Sequence, residues 1–177
     1  DYRMEGRTGI LMPFVVPSVQ EIESTPFYFG NKAVTFTPKG WELCFRPEYQ
    51  LALVGGYGGS KTHPSICRAV RLASWFPGNL GLLGRFASTD LAGTTRKDCL
   101  DFLSEANLLE NFREKHQEYK VPTATIRCTD PYTGQILPNK FSELMFIHLD
   151  DPMHFKGYHL GFFGIDEGNQ TKKEAWN

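Results

Sequence analysis

Residues 144–163, LMFIHLDDPMHFKGYHLGFF, place His148, His154 and His159 with Asp150 and Asp151 between two apolar runs. Side chains alternate along a strand, so over 144–150 Met145, Ile147 and Leu149 take one face while Leu144, Phe146, His148 and Asp150 take the other. His148 and Asp150 therefore project together. The segment around Pro152 is expected to turn the chain back, bringing His154 or His159 to the pair. Imidazoles and a carboxylate are ligands for Zn or Fe, with His148, Asp150 and His154 as the metal set. Without a metal, His148, Asp150 and His159 form an acid–base site in which the carboxylate orients a histidine. The spacing matches no HExxH motif, and the plain alternative is a strand end with an Asx turn before Pro152.

A second segment, QLALVGGYGGSKTHPSICRAV, runs from an apolar stretch through a glycine cluster into a helix. It approaches the phosphate-loop pattern G-x-x-x-x-G-K-[ST] at Gly55, Lys61 and Thr62, but Ser60 stands where the last glycine belongs. Pro64 also biases His63 toward extended backbone, so Lys61 and Thr62 are expected to precede the helix. The broader reading is a loop that covers a ligand with Gly56, Gly58, Lys61 and His63, and the plain alternative is a tight connection. Cys67, early in that helix and near Arg68 and Arg71, is a candidate nucleophile, its thiol lowered by the helix dipole and positive charge.

These groups must be positioned by the rest of a 177-residue chain, long enough to bury roughly 70% of its unfolded surface in one core. Charged residues are 22% and the net charge is −1, which argues against a nucleic-acid footprint spread over the domain. Cys44, Cys67, Cys99 and Cys128 are widely spaced and read as reduced thiols. No signal core or membrane span is seen, which gives a soluble, intracellular, cytoplasmic chain as the expectation.

Pro13, Pro17 and Pro26 make residues 1–30 an expected extended arm, residues 31–168 the globular domain and residues 169–177, with Trp176, a polar tail. AVTFT, WELCF and QLALV read as strands of a meander. A helix is expected from Pro64 to Phe76, with Ile66, Ala69, Val70, Ala73 and Phe76 inward and Arg68 and Arg71 outward. LGLLGRF follows as a short strand or loop. The stretch from Thr94 to Tyr119 reads as helical, capped by Thr95 and Asp98, breaking near Asn107 and ending in a solvated NFREKHQEY. TATIRCT and QILP flank a turn at 130–134, and LMFIHLD and YHLGFFGI add strands. The expected fold is a single α+β domain, a mostly antiparallel sheet of five to seven strands with two main helices packed on one face.

Three functions fit this reading. One is a small-molecule-binding or enzymatic domain with its pocket between 55–63 and 148–159. Another is a non-catalytic assembly domain that binds partner subunits through the arm and tail. The last is a cysteine hydrolase using Cys67.

Overall fold

A computed structural model describes residues 17–47, 61–85, 94–149 and 158–166. Most of the proposed arm, the whole glycine cluster and the whole tail lie outside these residues, as do the QLALV run, Asp150 and His154. Among the described residues no helix is long and apolar enough to cross a membrane.

The fold is α+β, as the order of elements implies. Helix α1 (Val19–Ser24) begins with a capping box between Ser18 and Glu21, so residues 19–24 are helical where an extended arm was expected. Strands β1 (Phe27–Phe29) and β2 (Lys32–Val34) form a hairpin, and Phe29 is buried in the core. Gly30 turns this hairpin at φ 52°, and a Cβ there would run into the backbone oxygen of Ala106. Gly30→Ala is therefore expected to cost at least about 2 kcal/mol, from left-handed strain and overpacking together. A thermal midpoint equal to wild type would show that the hairpin is not seated against Ala106.

WELCF is helical, not extended: α2 (Pro38–Phe45) starts at Thr37, whose hydroxyl accepts from Gly40 N–H at 3.2 Å, with Pro38 in the first turn. Its buried positions, Gly40, Cys44 and Phe45, follow helical spacing. Helix α3 (Thr62–Trp75) starts two residues before Pro64, and Lys61 is already in right-handed helical backbone. The first-turn N–H groups of a helix have no internal partners, so Pro64 forfeits nothing there and does not force His63 out. Ile66, Ala69, Val70 and Ala73 are buried as expected. Phe76 is 53% exposed because it lies past the helix end. Arg71, expected outside, is buried with its guanidinium over Phe45 (5.6 Å) and Trp75 (5.0 Å).

Strand β3 (Leu80–Arg85) leads to α4 (Arg96–Glu105), which stops where Asn107 takes φ 57°. Beyond that break the chain forms strand β4 (Leu109–Arg113) instead of more helix. Strands β5 (Thr123–Thr129) and β6 (Ile136–His148) make the expected hairpin, and β7 (Phe162–Ile165) completes a sheet of order β4-β5-β6-β3-β7. Counting the β1–β2 pair, three of five ladders are antiparallel; β3 runs parallel to both β6 and β7. The α3 and α4 side chains pack on Leu83, Ala124, Ile126, Leu144 and Phe146, the helix-covered face of the sheet. Met145, Ile147 and Leu149 lie with Leu82 in a smaller cluster against Tyr119, Val121 and Tyr158. This is the alternation read from the sequence.

Candidate functional site

The parallel strands β3, β6 and β7 end together, and Arg85 and Asp166 at the ends of β3 and β7 join one side-chain network. Arg85 closes β3 and lies in register with His148 at the end of β6, while Asp166 follows β7 on the other side. Asp166 Oδ2 accepts from the hydroxyls of Thr95 (2.8 Å) and Thr62 (3.3 Å) and lies 3.9 Å from the Arg85 guanidinium. Arg85 also donates to the hydroxyls of Thr94 and Thr95. Both side chains of the ion pair are 12% exposed. One carboxylate thus ties the first residues of α3 and α4 to the carboxyl ends of two strands. Bonds to an ionised acceptor are the stronger kind, and negative charge is favoured near helix N-termini.

Thr95 was expected to cap α4 with Asp98. Its backbone is already helical and its side chain makes no cap bond; the hydroxyl is committed to Asp166 instead.

Lys61 stands partly exposed at the start of α3, beside Thr62. His63 follows on the first turn, its ring 6.0 Å from Phe102 and its Nδ1 3.8 Å from Cys67 Sγ. His63 is exposed, yet partial desolvation lowers its pKa, the Lys32 charge lowers it further, and Asp98 opposes both. The net effect favours a neutral imidazole, the form able to accept a proton. Lys61 and His63 therefore stand beside the Asp166 network, with exposed His148 two strands away at the same edge of the sheet.

His159 is not brought to His148. Because β7 runs parallel to β6 through β3, the chain must return to the amino end of the sheet before β7 begins, where Gly161 N–H donates to Leu80 O. His159 precedes that point, whereas His148 pairs with Arg85; from Gly81 to Arg85 alone the strand rises roughly 13 Å. The expected turn would have needed an antiparallel return. Asp150 and His154, the remaining members of the acid–base and metal sets, and Gly56 and Gly58 of the ligand loop, lie outside the described residues. Among the described residues no three His, Cys, Asp or Glu side chains group as metal ligands.

Cys67 is fully buried, and desolvation raises its thiol pKa, the reverse of the lowering expected from helix dipole and charge. Cys44 and Cys99, also fully buried, are pushed up to about 12 by the same cause. A thiol that keeps its proton is a poor nucleophile.

His116 was read as solvated and is buried. Its Nε2 lies 3.2 Å from Glu143 Oε1, its Nδ1 accepts from the Glu118 and Tyr119 backbone N–H groups, and Tyr119 stacks on the ring. Tyr119 donates its hydroxyl to Glu143 Oε2 at 2.9 Å, and its pKa rises to about 12 through burial first and this bond second. With both ring nitrogens engaged, His116 fastens the 114–122 segment to β6.

The residues missed from the sequence are Arg85, Asp166, Thr62 and Thr95. Their separations of 71 and 104 positions fit no local motif. A usable signal was that Arg85 and Asp166 are each the first charged residue after an apolar run, LGLLG and HLGFFGI.

No protein-family model, curated protein or solved structure matches this chain.

Proposed function

We propose that this chain is a small-molecule-binding domain, with acid–base chemistry as the enzymatic use of the same site, whose ligand sits outside the carboxyl ends of β3, β6 and β7. The observation that supports this reading is the Asp166 carboxylate, which holds the first turns of α3 and α4 at that edge. Open sheets with parallel strands bind ligands there. First-turn amides of α3 and α4 carry partial positive charge at this edge, so the ligand class is a small molecule bearing an anionic group. Lys61 and His63 belong to one wall, with Gly56 and Gly58 just upstream in sequence. His148 belongs to the other, with Asp150 as its orienting carboxylate. A divalent Zn or Fe on His148, Asp150 and His154 is the metal-dependent form of the same proposal.

Inorganic pyrophosphate titrated into the full chain and followed by amide NMR tests the site. Shifts confined to Lys61–Ser65 and Thr94–Asp98 are expected, with Lys61→Ala weakening binding about three- to tenfold and His148→Ala remaining folded. An unchanged spectrum up to about 20 mM would remove the edge as an anion-binding site.

A further inference from the structure

A recess lies at the far end of α3 from the Asp166 network, between β1, the end of α3 and the β5–β6 turn, with a volume of about 260 Å³. Phe27, Tyr28, Trp75 and Tyr132 line it, and among the described residues Asp130 is the one charged side chain in its lining. Tyr28 and Tyr132 are 60% and 61% exposed. Asp130 Oδ1 accepts from Thr133 N–H (2.8 Å), Tyr132 N–H (2.9 Å) and the Thr133 hydroxyl (3.1 Å), and these bonds hold the carboxyl below its usual range. Trp75 already receives one cation, the Arg71 guanidinium.

From this arrangement we infer a binding site for a free small organic cation, an alkylated ammonium, with Asp130 as its counter-charge and the Tyr28 and Tyr132 rings as its contact surfaces. Charge complementarity selects the ligand. An anion would meet the Asp130 carboxylate with no basic residue among the described lining residues to offset it, whereas a quaternary ammonium gains from both carboxylate and ring quadrupoles. The small volume suits a headgroup more than a drug-sized molecule.

Choline and its neutral isostere 3,3-dimethylbutan-1-ol, titrated separately into the full chain, test the inference through the NMR signals of Trp75, Tyr28 and Tyr132. Choline is expected to shift these signals, with the alcohol at least about tenfold weaker. Asp130→Asn keeps a carbonyl acceptor for the turn and should weaken choline about tenfold while leaving the alcohol unchanged. Should that variant lose its fold, Tyr132→Ala, an exposed turn position, is expected to weaken choline in its place. Equal binding of choline and alcohol, or no shifts at about 50 mM choline, would overturn the site. A trimethyllysine peptide binding more tightly than choline would overturn its assignment to a free ligand.

Discussion

Asp166→Ala is expected to destabilise the chain by about 2–4 kcal/mol, read as a lower urea midpoint at an unchanged slope. The carboxylate is 12% exposed and serves the Thr62 and Thr95 hydroxyls and the Arg85 guanidinium together. Removing it takes one anionic neighbour from Arg85, which is equally covered, and weakening the pairing of a mostly buried cation is costly. The 3.9 Å separation and the residual solvent access keep the effect below the full cost of breaking a dry pair. Asp166→Asn should fall between wild type and alanine, since one amide oxygen still accepts a hydroxyl. Hydrogen exchange adds a local readout, in which the first turns of α3 and α4 lose protection before the strands do. A urea midpoint equal to wild type would mean that helix packing alone positions those turns, and the edge would lose its frame.

Phe146→Ala is expected to cost about 3–5 kcal/mol, the largest effect of any single change considered. Phe146 is 1% exposed near the carboxyl end of β6, its ring edge-on to Phe112 at 6.4 Å, on the face that α3 and α4 cover. Truncation removes buried area and leaves a cavity that a sheet paired on both sides cannot collapse to fill. Phe163→Ala is the control: that ring is 61% exposed on the edge strand β7, so a change within about 0.5 kcal/mol is expected. Thermal midpoints separate the two cases, because about 1 kcal/mol moves a domain of this size by roughly 2–4 °C. Similar losses for both variants would place the core elsewhere.

Periodicity determined the parts of the fold that depend on near neighbours. The inward stripe of α3 from Ile66 to Ala73, the alternation of Leu144 to Leu149 and the turn at 130–134 all reflect spacing that local backbone geometry imposes. WELCF misled because a short apolar run fits a strand or a buried helix equally, and the Thr37-Pro38 start was the evidence that decides it. LENFR misled in the other direction. Its helical composition yielded to the stop at Asn107 and to pairing with β5, which no local preference encodes.

The candidate site divides along the same line. The places of Lys61 and His63 near the start of α3 and of His148 at the end of β6 were legible, because each borders a patterned segment. That His159 belongs to the opposite edge was decided by the parallel pairing of β3 with β6 and β7, a relation between strands distant in the chain. The Asp166 network is likewise tertiary: Thr62, Arg85, Thr95 and Asp166 meet only after the sheet has formed. Residue types and their spacing therefore determined which groups end each element. Strand direction decided which of those ends meet, because register and orientation are set by burial across the whole sheet and not by the residues at the site.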